Sequence, residues 1–286
     1  MRGRSFGALL RTLTLSALVF SGAGCTQFGN VETVSRSIDR GNATSLVASL
    51  EIGAGQIDVD GGADGLVSAR FTTQKKRVPQ VNFTTDTSAG RLDVTQSAKS
   101  GGFNLGPTTN RWAVELNDDL PINLTVTGKS ARENLSLDTL TINSLDASSD
   151  SGDTSVSLNG VQNRLKTVSL RSSSGNLHLR LDGDYRAPAA IDVDSSSGEI
   201  NVDLNGNWIS NVTGTIKTDS GTIIVTIPKE IGVQINATTD SGFIDAEGLT
   251  NHGGDSYMND QAASGTVQMR LDIQSSNGNI TIREGG

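Results

Sequence analysis

The chain has 286 residues, with 23 Lys and Arg against 31 Asp and Glu, a net charge of −8, 4% aromatics and 33 glycines. A nucleic-acid binder needs a basic face to displace counterions from phosphate, and this acidic chain has no cluster of Lys and Arg to supply one. The core has to come from aliphatic side chains and tight turns, in one large β domain or two small ones.

The first 24 residues read as a lipoprotein signal peptide. Arg2, Arg4 and Arg11 give a positive front, residues 13–20 (LTLSALVF) an apolar run too short to span a bilayer, and residues 21–25 (SGAGC) a small-residue cleavage site. The stretch resembles the bacterial lipobox, with Gly22 where that pattern prefers a branched aliphatic. Cys25, the only cysteine, would carry a thioether-linked diacylglycerol with palmitate-type acyl chains, leaving a body with neither disulfide nor thiol chemistry. Each buried methylene of such a lipid contributes about 0.8 kcal/mol to membrane binding. Losing the signal's three arginines leaves 20 basic against 31 acidic residues, or −11. This predicts an extracytoplasmic body, anchored to a bacterial membrane by lipid rather than by charge.

Residues 25–42 have no clear period and read as a tether. From residue 43 the chain reads as strands throughout. LEIGAGQIDVDGG (50–62) and TSAGRLDVTQ (87–96) place Ile57, Val59, Leu92 and Val94 two and four residues after Gly55 and Gly90. RFTTQ, VNFTT, RWAVEL, INLTVTG and LSLDTLTINSL are also strand-like. Lys75, Lys76 and Arg77, the densest basic spot, read as a solvated turn.

Residues 146–286 are more regular. Gly152, Gly175, Gly198 and Gly221 follow Ser-rich runs at intervals of 23 residues, Gly242 comes 21 later, and Gly278 closes the series after 36. Apolar residues recur two and four positions after five of these glycines: Leu177 and Leu179, Ile200 and Val202, Ile223 and Val225, Ile244 and Ala246, Ile280 and Ile282. Alternation of this kind marks strands with one dry face. A period near 23 marks a solenoid, because a single unit cannot bury its own stripe. The predicted fold class is therefore all-β, a stacked β-strand solenoid resembling a single-stranded β-helix, with Ser-Gly corners. Its rungs lie about 4.8 Å apart. Glycine is expected at the corners for a backbone conformation that a Cβ opposes. The narrow aliphatic interior should leave little room for large rings, and the open ends should be capped or self-associate.

LEIGAGQIDVDGG, GRLDVTQ, NRWAVELNDDLPINLTV and SLDTLTINSLDASSDSGDTSVSL resemble the toast-rack domain of bacterial envelope proteins. That group includes the extracytoplasmic part of LiaF-type regulators of envelope-stress sensing. The rungs with IPKEIGVQINATTDSGFI resemble the adhesin-type β-strand repeats of the same group. The likeness covers residues 48–245, with residues 43–145 as an N-terminal toast-rack region. It implies a stacked β fold in the envelope.

Reactive groups are few. DGGADG (60–65), DASSDSGD (146–153) and DVDSSSGE (192–199) could gather oxygens around calcium, yet none matches a known calcium loop. They read as solvated turns and outer faces. His178 and His252 have no metal-ligand spacing, and no Gly-x-Ser-x-Gly elbow is present. No cofactor or metal site is expected, and the chain reads as a non-enzymatic binding or structural protein, adhesin-like, for an envelope protein or glycan. One alternative is a carbohydrate-active enzyme on a β-helix, which predicts a groove with clustered Asp and aromatic residues. Another is an envelope-stress regulator, by analogy with LiaF-type proteins. The polar insertion at 249–265 breaks the period and holds the most varied side chains, so His252, Tyr257 and Met258 are the expected partner contacts.

Overall fold

The computed structural model describes residues 31–96, 109–265 and 267–286. The signal peptide and Cys25 lie outside the described residues.

The first third is built from β1 (Val31–Ile38), β2 (Ser45–Gly61), β3 (Val67–Gln74), β4 (Gln80–Asp86), β5 (Ala89–Thr95), β6 (Asn110–Leu116) and β7 (Pro121–Ser136). The chain then coils, laying strands on a first, a second and a third face in turn. These are β8 (Thr141–Ser149), β9 (Thr154–Ser157), β10 (Val161–Gln162); β11 (Thr167–Ser172), β12 (Leu177–Arg180), β13 (Asp184–Tyr185); and β14 (Ala189–Ser197), β15 (Ile200–Asp203), β16 (Asn207–Trp208). Later turns have two faces: β17 (Val212–Ser220) with β18 (Ile223–Ile227), β19 (Gly232–Ser241) with β20 (Ile244–Glu247), and β23 (Val267–Asn277) with β24 (Ile280–Glu284). Between the last two lie β21 (Thr250–Asn251), β22 (Ser256–Met258) and α1 (Asp260–Ser264).

Successive turns pair in parallel and in register, so equivalent side chains form columns. Leu179 pairs with Val156 and Val202, Val202 with Val225, and Val225 with Ile282, every one of them buried. Leu177, Ile200, Ile223 and Ile280 form the neighbouring column. Burying these branched side chains against identical neighbours above and below is the main stabilising term. Val202→Ala leaves a void in the middle of its column and is expected to cost about 2 kcal/mol. Urea unfolding would show this as a lower midpoint with an unchanged slope.

The turns do not stack in chain order. β17 pairs with β23 and β23 with β19; on the second face, β18 pairs with β24 and β24 with β20. The last turn of the chain is thus slotted between its two predecessors.

The corner glycines record the same order. A Cβ on Gly152 would strike the Ala131 carbonyl, one on Gly175 that of Gly152, one on Gly198 that of Gly175, and one on Gly221 that of Gly198. Gly278 abuts the Gly221 carbonyl and Gly242 that of Gly278. Gly198, Gly221 and Gly242 have φ of +134°, +145° and +152°. Gly152, Gly175 and Gly278 do not have positive φ, so the expected conformational reason holds for only half of the series. Close approach to the turn beneath is the requirement all six share.

Three other expectations are corrected. The tether expected over 25–42 ends sooner, because 31–38 is β1, antiparallel to β3 from Val31↔Gln74 to Ile38↔Val67. β1 is an edge strand, so its alternation is masked: Arg36 stands in a core-facing register position opposite Ala69, and only Ile38 is buried. Second, large rings do enter the interior. Phe71 and Trp112 meet edge to face at 5.4 Å, and Tyr185 stacks on Trp208 at 4.0 Å, because both partners occupy one column of the short third-face strands. The insertion at 249–265 has secondary structure of its own. β22 pairs antiparallel with β19 and with β21, and α1 follows, so the segment caps the first face. Asn259 pins this cap: its Oδ1 accepts from the amides of Ala262 and Val233 at 3.0 and 2.9 Å, and its Nδ2 donates to Ile231 O at 2.9 Å. Third, the division drawn at 145/146 falls within β8, which pairs with both β7 and β11, so the two regions form one stack.

Candidate functional site

With the interior packed, chemistry is confined to the outward columns, the corners and the two ends. The residues expected to contact a partner lie in the cap. Tyr257 and Met258 are on β22, opposite Ile235 and Gln234, and Tyr257 is half-buried against the core. Tyr257 therefore helps to seal the end of the first face, while Met258 is a partly exposed residue of the same strand. His252 is exposed at the hairpin turn, its amide donating to Ser256 O at 2.9 Å. His178 is an exposed residue of the second face, in register with Ser155 and Asn201.

On the first face, Arg171 reaches the turns on both sides, to Asp146 at 3.3 Å and Asp192 at 2.9 Å. These are carboxylates of two of the acidic stretches considered for calcium. All three side chains are about half exposed, so water screens the attraction. Arg171→Ala is expected to change the unfolding free energy by less than about 1 kcal/mol in a urea titration.

On the outer second face of β2, Asp58 and Asp60 have carboxyls pushed in opposite directions. Burial raises Asp58, but hydrogen bonds from Asn134, Gln56 and Arg111, together with the Arg111 charge, outweigh it and leave the group below the usual range. Burial raises Asp60, helped by the charges of Asp58 and Glu115 and only partly opposed by the Ser136 hydroxyl. Such a split is what paired-carboxylate catalysis uses. Here, however, the two acids sit on a sheet face, and Asp60 lines neither of the two clefts described next. The alternating Asp58 and Asp60 of QIDVDGG are legible as outward residues, but apart from Gln56 the groups that make their surroundings unequal stand on β6 and β7 and have no local signal.

One cleft, of about 200 Å³, lies at the first-face corner of the last turns, with Asp194, Lys217, Asp219, Asp240 and Gln274 in its wall. A broader one, of about 480 Å³, lies between the first turns and is bordered by Gln56, Asn110, Arg111, Arg132 and Asp153. No aromatic residue lines either. Trp112 and Trp208, which a sugar platform would require at the surface, are buried. Among the described residues, no three His, Cys, Asp or Glu side chains converge to hold a metal, and no helix is long and apolar enough to cross a membrane.

A candidate cell-adhesion protein of Clostridium sporogenes shares the fold, with a TM-score of 0.50 and 20% identity over 90% of this chain and 100% of that one. A candidate adhesin of Bacteroides fragilis aligns with a TM-score of 0.34 and 12% identity, over 92% and 100% of the two chains. A candidate lipid-binding protein of Parabacteroides distasonis gives 0.38 and 14%, over 88% and 97%. No curated protein matches in sequence. The family pattern for the N-terminal domain of toast-rack proteins matches residues 27–180, more than half of the sequence, and takes in the rungs from β1 to β12. The chain belongs to the toast-rack family.

Proposed function

We propose that this protein is an exported, lipid-anchored component of a bacterial envelope that binds rather than catalyses, presenting its outer sheet faces and corners to a protein or glycan partner. The observation that carries this reading is the use made of the side chains. Most aliphatics and the large interior rings are spent in the packed columns, and apart from a few exposed apolar residues such as Ile209 and Phe243 the outside is a grid of hydroxyls, amides and charged groups on a stacked frame. Such a grid suits many weak polar contacts along an extended partner. The adhesion role given to the Clostridium sporogenes protein of the same fold supports the same class of function.

Lipid attachment at Cys25 is the part most directly tested. Cells expressing the wild type are expected to incorporate an alkyne-tagged palmitate into the protein and to retain it in the membrane fraction. Cys25→Ser should lose both the label and the membrane association. An unlabelled wild type that washes off membranes would overturn the anchoring. Affinity capture from membranes carrying each form, read by mass spectrometry, then identifies the partner.

A further inference from the structure

The body as a whole is acidic, yet its two ends have opposite charge. The layer formed by residues 31–40 and 67–86, which contains β1, β3 and β4, carries six basic and three acidic residues. The opposite layer, residues 228–265 with β19 to β22 and α1, carries one basic and six acidic residues. The basic layer is also where the chain enters the fold. Val31 pairs with Gln74, and the next three residues are Lys75, Lys76 and Arg77, a single 3-10 turn with no buried residue. Among the described residues none of the three forms an ion pair, so their charge is uncommitted. Val31, beside them, is 50% exposed.

Cys25 stands six positions before Val31, and six residues reach at most about 20 Å when fully extended. A lipid on Cys25 would therefore hold this end, and not the acidic one, close to the bilayer. We propose that Lys75, Lys76 and Arg77 form a membrane-facing contact for anionic lipid headgroups, which sets the orientation of the stack on the surface. The proposal rests on the lipid-anchoring reading above. Each basic residue held near an anionic surface favours contact by about fivefold, within a range of about 10 Å at moderate salt. The acyl chains supply the affinity, and the triad supplies direction, turning the acidic end and its cap away from a surface that repels them. A solvated turn with no ligand would put these charges anywhere on the molecule; the register places them at the point of attachment.

The test uses the acylated full-length protein in vesicles of phosphatidylcholine alone, or with about one third phosphatidylglycerol, and reads lysine modification by an amine-reactive reagent in a mass spectrometer. Lys75 and Lys76 are expected to react at least about threefold more slowly on the anionic vesicles, with the difference removed by 1 M salt, where the screening length falls to about 3 Å. Lys229, in the opposite layer, should react equally on both. Equal reactivity of Lys75 and Lys76 on both vesicles, with the protein floating with them, would overturn the proposal and leave the anchoring intact. Absence of an acyl mass on Cys25 and failure to float would overturn both. Protection that grows with protein concentration in detergent would instead assign the basic end to the acidic end of a second copy.

Discussion

Replacing Gly175 by valine is expected to destabilise the protein by about 4 kcal/mol or more, one of the two largest effects anticipated for any single substitution. The new Cβ would meet the carbonyl of Gly152, which is backbone and has no rotamer to yield. Relief comes only by parting two turns, and at this corner they are joined by the amides of Ser173 and Ser174 donating to Ser149 O and Asp150 O, each at 3.1 Å. The Ser172 hydroxyl, which accepts from the Gly175 amide at 2.7 Å, would move with them. In a stack whose stability is close to a sum of turn-to-turn interfaces, parting one interface uncouples the turns on either side. Thermal unfolding followed by circular dichroism should therefore show a fall of about 10 °C or more, with a broadened transition. Gly53→Ala is the control: among the described residues its Cβ would find only the Gln96 side chain at 3.6 Å, and a change within about 0.5 kcal/mol is expected. Equal losses at the two sites would mean that close stacking is not what the corner glycines serve.

The second large effect concerns Glu133, the one carboxyl in the described core. It is fully buried in a second-face column between Ile57 and Thr154. Its Oε2 accepts the Thr154 hydroxyl at 2.9 Å, while Oε1 lies against Gly128 without a well-formed hydrogen bond. Burial pushes the group up from 4.5 to about 8, against the smaller opposing effects of Thr154 and the Gly128 backbone. The folded chain thus holds this proton more tightly than the unfolded chain does. The associated stability is fully present below about pH 4.5, declines as the pH rises, and is lost once it passes about 8. The loss amounts to roughly 3 kcal/mol by pH 7 and about 5 kcal/mol at the alkaline limit. Glu133→Gln, which keeps the shape and cannot ionise, should flatten this slope and be the more stable protein at pH 9. Urea unfolding of both forms from pH 4 to 9 checks it. Parallel curves would mean that Glu133 is not what titrates.

Much of this architecture is legible in the amino-acid order, because alternation and a 23-residue spacing state directly which side chains share a column. Leu179, Val202 and Val225 stand where the pattern puts them. The pattern is silent about which turn lies on which. Every turn offers its neighbour the same alternation, so nothing local distinguishes β23 from β19 as the next layer over β17; in the fold the other edge of β19 is taken by β22 of the cap. β1 carries no clear signal for a related reason, since an edge strand with Arg36 in a core-facing position lacks the contrast that reveals its neighbours. Interior rings were unexpected because composition gives an average, and Tyr185 and Trp208 sit where the third face is only two residues wide. At the surface, the sequence shows which residues are polar, but the opposed shifts of Asp58 and Asp60 depend, apart from Gln56, on groups of β6 and β7, more than 50 positions away.

The wedged position of β23 and β24 has a consequence for synthesis. β23 and β24 are made after the two courses they separate and fill a slot in a wall already half built, so β19 and β20 have no proper seat until those later strands arrive. A chain shortened by its final 20 residues would not fray at one end. It would lose its keystone, detaching the outermost course and its cap together while every earlier course stayed in place.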